Sequence, residues 1–134
     1  MSKIVVIDYG MGNLFSVKKS FGRIGINATI TNNPTEIKLS DKIILPGVGH
    51  YKKAVQNLKS LGIWDILNEK VLVNKTPILG ICLGMQLMAN SSEEGDAEGF
   101  GWFDAEVVKF NVKDKLSFKV PHTGWNQIVK KKES

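Results

Sequence analysis

The stretch PILGICLGMQLM, residues 77–88, decides the fold. Its first half, together with Thr76 before it, makes a short apolar run to Ile81 of the kind buried inside a parallel sheet. Its second half, from Leu83 to Ala89, reads as the start of a helix. Between them Gly80-Ile81-Cys82-Leu83-Gly84 has the glycine-x-nucleophile-x-glycine form of a strand-to-helix elbow, where small flanking residues let the backbone turn sharply and lift one side chain into a cleft. Cys82 is the chain's single cysteine. It has no internal disulfide partner, and together with His50 and His122 it falls short of a structural zinc site, so no metal is expected and reactivity is the sharper reading. A buried, inert thiol is the ordinary alternative. A helix start favours the thiolate, because unpaired amides and the helix dipole both stabilise negative charge there.

Working outward, the same grammar repeats. IVVID (Ile4–Asp8) is a continuous apolar run that ends at YGMGN, and Leu14, Val17, Phe21 and Ile24 follow at helical steps until Gly25. NATIT (Asn27–Thr31) reads as a second strand, after which Asn33 is placed to cap a helix with Pro34 in its first turn. KIILPGVG (Lys42–Gly49) is again strand and glycine turn, followed by helical stretches around Ala54, Leu58 and Leu61 and then around Trp64, Leu67 and Val71. Strands alternating with helices predict an α/β domain with a mainly parallel sheet and helices on both faces. After the polar SSEEGDAEG loop the pattern changes. GWFDAEVVKFNV and KLSFKVPHTGWNQIV alternate apolar with polar residues, which predicts antiparallel strands beside the main sheet.

The totals set limits. A chain of 134 residues has room for one domain, taken as 1–134. Its 43% hydrophobic and 23% charged residues match an average globular composition, and no apolar run approaches a membrane span. The start, MSKIVVIDYG, shows no export signal, so a cytoplasmic protein is expected. The net charge of +5 is local: residues 109–134 hold seven lysines against Asp114 and Glu133. A run such as Lys130-Lys131-Lys132 with no aromatic recognition module around it argues for a solvated segment, not a nucleic-acid surface.

In an open α/β sheet, ligands collect at the carboxyl ends of the strands, where YGMGN, PGVGH and GICLG all lie. The turn Pro46-Gly47-Val48-Gly49 has the glycines that let a backbone aim amides at a developing oxyanion, although a plain strand-to-helix turn would look the same. Together "IDYGMGNLFSV", "LPGVGHY", "GICLGMQLM", "SSEEG" and "VPHTGWNQ" stand in the order and spacing found in glutamine amidotransferase subunits of imidazole glycerol phosphate synthase. The chain resembles that family, the class I, triad-type amidotransferases, over Ile4 to Gln127. The resemblance implies a flavodoxin-like three-layer fold and no cofactor. It implies Cys82 as the nucleophile that attacks the side-chain amide of glutamine, with the amides around Gly47, Val48, Gly49 and Leu83 as oxyanion site and Gln86 and Glu94 as substrate contacts. It further implies a heterodimer in which ammonia passes to a cyclase subunit with a (β/α)8 barrel, docked near Asn13, His122, Trp125 and Asn126. For Trp125 an ordinary core position is the competing reading.

The family takes its proton acceptor and the carboxylate that orients it from a His-x-Glu pair beyond PHxGWN, and these 134 residues hold no such pair. The domain is therefore expected to be C-terminally incomplete. His50, after PGVG, is the alternative base, and nothing in the sequence beside it orients its ring. Three other readings stand beside a histidine-pathway glutaminase: a related subunit supplying ammonia for surface-polysaccharide amino sugars, a silent module that only binds its synthase, and a different cysteine-elbow hydrolase, in which PHTGWNQ would have no role.

Overall fold

The computed structural model describes residues 1–132. Four strands, β1 (Ile4–Ile7), β2 (Ala28–Thr31), β3 (Lys42–Leu45) and β4 (Ile78–Gly80), form one parallel sheet in the order β2-β1-β3-β4. Val6 stands opposite Ile30 on one side and Ile44 on the other, and Leu45 opposite Gly80. The chain moves outward from β1 to β2 and then crosses back to β3. The β1/β3 gap is thus the point at which the winding reverses, where open α/β sheets bind ligands.

Helices pack on both sheet faces, as near-continuous apolar strands require, while Leu79 on β4 stays exposed. On one face Val6, Ala28 and Ile44 pack with Leu14, Val17 and Phe21 of α1 (Leu14–Arg23). On the other, Val5, Ile7, Ile43 and Leu45 meet Ile37 of α2 (Pro34–Lys38), Ala54 and Leu58 of α3 (Tyr51–Ser60), and Ile63, Ile66 and Leu67 of α4 (Ile63–Asn68). Asn33 caps α2 by accepting from the amides of Thr35 and Glu36, with Pro34 next in line, as its sequence predicts. A π-turn at Glu69–Val73 extends α4 and buries Lys70, whose Nζ donates to the carbonyls of Lys38 and Ser40 at 3.0 and 2.6 Å.

Beyond β4 the structure corrects the sequence reading in three places. The helix expected from Leu83 to Ala89 is a single turn, α5 (Leu83–Gln86). The alternating GWF segment is not a strand, because its amides are used elsewhere: those of Phe100, Gly101, Trp102 and Phe103 donate to the carbonyls of Leu87, Ala89 and Met88, which the short helix leaves open. Phe100 stacks between Trp64 and Trp102, with ring centroids 3.8 and 4.2 Å apart. The second sheet is small and mixed. β5 (Ser91–Ser92) lies between antiparallel β6 (Ala97–Glu98) and parallel β7 (Glu106–Val107). Residues 108–132 form no strand: alternation specifies a face only once a neighbouring edge accepts the backbone hydrogen bonds, and among the described residues none does.

Candidate active site

The elbow is built by close approach. A Cβ on Gly84 would run into the carbonyl of Leu45 at the end of β3, and one on Gly80 would stand 2.6 Å from Met85 Cα. Both flanking glycines are thus set by backbone packed against backbone, as the motif requires. Cys82 between them has φ 53° and ψ −116°, a conformation costly for a residue with a side chain, and its side chain is exposed. Ile81 donates to the Leu45 carbonyl at 3.0 Å, and Gln86 to the Cys82 carbonyl at 3.1 Å, which holds the turn from both ends. With one turn of helix behind it, Cys82 gains little from a summed dipole; what α5 offers is unpaired amides.

The turn after β3 presses on this elbow. A Cβ on Gly47 would meet the Tyr9 hydroxyl, Leu83 Cβ at 2.8 Å and the Gly84 amide nitrogen at 3.0 Å. Gly49 takes φ +122°, against the Met11 side chain. Among the described residues, the amides of Gly47, Val48, Gly49 and Leu83 donate to no group of the chain. Backbone amides without an acceptor, in a turn packed against the elbow, are the kind of donor an anionic oxygen can use.

Tyr9, which the sequence reading missed, lies directly beneath. It is buried, and its Oη donates to the Pro46 carbonyl at 2.6 Å. Burial first, and a negative charge at Cys82 second, push its hydroxyl far above the ordinary tyrosine range. The available signal was its place, two residues past the end of β1 at the winding reversal.

Gln86 and Glu94 line one groove of about 470 Å³ together with Ser92, Val107 and Lys109. Glu94 Oε2 accepts from the Tyr51 amide at 2.7 Å, so its carboxylate caps α3 from 43 residues away, and its own amide donates to the buried Ser92 hydroxyl at 3.0 Å. Glu94 Oε1 has no hydrogen-bond partner among the described residues. Ser92 was also missed, because a serine in SSEEG looks like any loop serine.

Cys82 is not among the residues lining that groove, nor are the other candidates. His50 makes no side-chain cap to α3, and its Cε1 lies 2.7 Å from where a Cβ on Gly95 would stand; no hydrogen bond links it to Cys82. Asn13 caps α1 by accepting from the Ser16 amide and lines an exposed groove with Phe15 and Val48. His122 accepts from Asn126 Nδ2, and both are exposed. Trp125 is fully exposed at 103%, which overturns a core position. No hydrogen bond ties these three to the sheet or the elbow among the described residues. Among those residues there is also no group of three His, Cys, Asp or Glu able to hold a metal, and no helix long and apolar enough to cross a membrane.

Comparison with known proteins agrees with the geometry. The family model for class-I glutamine amidotransferases matches residues 5–134. A Methanococcus maripaludis protein, imidazole glycerol phosphate synthase subunit HisH 2, is 54% identical over 93% of this chain and 61% of its own length. HisH 1 of Campylobacter jejuni is 51% identical over 93% and 62%, and HisH 2 of Pseudomonas aeruginosa 43% identical over 93% and 61%. The chain thus spans about three fifths of the length of these relatives. A crystal structure of a glutamine amidotransferase shares the fold, with TM-score 0.67 at 20% identity over 78% of this chain and 56% of that one. With the elbow, the amide turn and the parallel order of strands in place, the chain belongs to the class-I glutamine amidotransferase family.

Proposed function

We propose that this chain is the glutaminase part of an imidazole glycerol phosphate synthase: it hydrolyses glutamine to glutamate and ammonia and hands the ammonia to a synthase subunit in histidine biosynthesis. The observation that supports the reading is the contact of the PGVG turn with the elbow: a Cβ on Gly47 would meet Leu83 and the Gly84 amide, the amides of Gly47, Val48, Gly49 and Leu83 have no acceptor among the described residues, and Cys82 is exposed. On this reading the Cys82 thiolate attacks the side-chain carbonyl carbon of glutamine, and the amides receive the negative oxygen of the tetrahedral intermediate. That intermediate collapses with cleavage of the C–N bond, the nitrogen leaving as ammonia with a proton gained on departure. Water then cleaves the thioester to give glutamate and restore the thiol.

Glu94 Oε1 would meet the ammonium group of the substrate, with Gln86 on the same wall. The first proton acceptor is assigned to a His-x-Glu pair of the family type, because neither His50 nor His122 hydrogen-bonds Cys82. Ammonia delivered directly escapes protonation in water, which is the chemical reason for a docked partner. We assign that partner a (β/α)8 barrel, the face carrying Asn13 and Val48 to its docking surface, and the cytoplasm as its place of work. The names of the relatives support the histidine pathway over amino-sugar synthesis.

The test is covalent. A diazoketone analogue of glutamine, given to the full-length protein bound to its synthase subunit, should add one label to Cys82. Cys82→Ser should lose both the label and glutamate release. Labelling elsewhere, or glutamate release that persists in Cys82→Ser, would overturn the assignment.

A further inference from the structure

Tyr9 belongs to none of the motif positions that the reaction uses, yet it is buried against the turn that packs on the elbow. Its hydroxyl is buried and donates to the Pro46 carbonyl at 2.6 Å, and Asn57 Nδ2 holds its own carbonyl at 3.0 Å. A peptide unit is planar and trans, so fixing the direction of the Pro46 carbonyl fixes the opposite direction for the Gly47 amide. Proline adds a locked φ before that peptide. On the far side, Gly47 has space for hydrogen only, since a Cβ there would meet the Tyr9 hydroxyl and Leu83.

We propose that Tyr9 is the positioning residue of the amide turn: its hydroxyl bond to Pro46 sets the plane of the Pro46–Gly47 peptide and hence the direction in which the Gly47 amide is offered. Turning that peptide over would leave the Pro46 carbonyl buried without a donor, which is why one hydroxyl is enough to hold it. Because burial and the neighbouring Cys82 charge keep the phenol protonated, Tyr9 stays a donor while the thiol ionises, and it is neither base nor nucleophile. The consequence for turnover rests on the reading of this turn as the oxyanion site.

The experiment compares wild type with Tyr9→Phe, which keeps the ring and removes the donor. It uses the full-length protein with its synthase subunit, labelled with ¹⁵N-glycine. The Gly47 amide resonance should move and its hydrogen exchange should quicken, while glycines in other elements, such as Gly22 and Gly62, stay unchanged. Glutamine turnover should fall about tenfold in kcat with KM changed less than about twofold, a fraction of what loss of a whole oxyanion donor costs. A purely structural role would lower the melting temperature and leave kcat in place. Should Tyr9→Phe fail to fold, incorporation of 3-fluorotyrosine strengthens the donor in an intact protein and should also move the Gly47 resonance. A Gly47 amide that stays put in the folded variant overturns the proposal, and a moved amide with unchanged kcat overturns its link to turnover. Wild type that releases no glutamate would defeat the amidotransferase reading instead, and the amide comparison decides the role of Tyr9 without it.

Discussion

The carbonyl of Leu45, at the end of β3, occupies the space in which a side chain on Gly84 would begin. The last residue of β3 therefore dictates glycine two positions after Cys82, in the first turn of α5. Gly84→Ala should be among the most destabilising single changes in the chain, about 3 kcal/mol by urea unfolding, because neither partner is a side chain that can rotate away. Gly22→Ala, on a helix face with open space around it, should be neutral or stabilising in the same assay. Equal effects of the two changes would remove close approach as the reason for the motif.

Cys82 carries strain that serves display, not stability. With φ at 53° it adopts a conformation open to glycine. Cys82→Gly should raise unfolding free energy by about 1 kcal/mol, relief of strain outweighing the greater freedom of glycine in the unfolded chain. It should also abolish labelling by the glutamine analogue. Calorimetry beside mass spectrometry would show stability and reactivity moving in opposite directions; a loss of stability would mean that the turn is unstrained.

These two sites mark how far the sequence could be read. The parallel sheet was legible because IVVID, KIIL and TPILGI are apolar without alternation, and the elbow because glycine on both flanks of Cys82 suits a sharp turn packed against a neighbouring strand. What escaped depended on contacts distant in sequence. Nothing in GWF indicates that its amides will close the end of α5, nor in YGMGN that Tyr9 will reach Pro46, 37 residues on. Glu94 was picked out by family pattern, whereas its bond to the Tyr51 amide is visible only in the fold.

Tyr51 tests the opposite case to Tyr9. Its hydroxyl is buried with no hydrogen-bond partner among the described residues, and burial raises its pKa above the ordinary value. Removing an unpaired buried hydroxyl takes away a desolvation cost and breaks no bond, so Tyr51→Phe should stabilise the fold by about 1 kcal/mol. The pH dependence has a defined sign. A folded-state pKa above the unfolded one means stability is complete below about pH 10 and falls as pH rises from there through the folded value. Tyr51→Phe should flatten that alkaline loss; an unchanged slope would assign it to Tyr9 alone.

Lys70 is a buried cation satisfied by two carbonyls at the end of α2. Lys70→Met fills similar space but leaves the Lys38 and Ser40 oxygens without their donor. It should cost about 2 kcal/mol in chemical denaturation, in the range for bonds to a charged group, and leave Cys82 labelling intact. A neutral substitution would mean that water replaces the ammonium group there.

Trp125, fully exposed, has no packing to lose. Trp125→Ala should leave the melting temperature within about 1 °C, as surface changes do, while weakening binding to the synthase subunit about tenfold or more if it anchors that interface. A fall in melting temperature with affinity unchanged would overturn the assignment of Trp125 to the partner face. Because tryptophan anchors act in desolvated pockets, the loss should appear mainly as faster dissociation, measurable by surface plasmon resonance.

The identity of the base gives the sharpest test of the site. A polypeptide limited to these 134 residues offers two histidines, one with its ring beside Gly95 and one paired with Asn126, and neither reaches Cys82 by a hydrogen bond. General-base help is worth about 10²–10⁴ in rate, and loss of a triad member can cost more. With saturating glutamine and the synthase subunit present, this polypeptide should therefore release glutamate at least about a thousandfold more slowly than a version extended by a family-type segment carrying His-x-Glu. The amide turn and the elbow are already assembled within the 134 residues, so the diazoketone analogue, which is more reactive than glutamine, should still label Cys82 slowly in the short form. His50→Ala should leave both forms unchanged. Comparable turnover by the short and extended forms, abolished by His50→Ala in each, would make His50 the base and require its ring to leave Gly95 and swing toward Cys82.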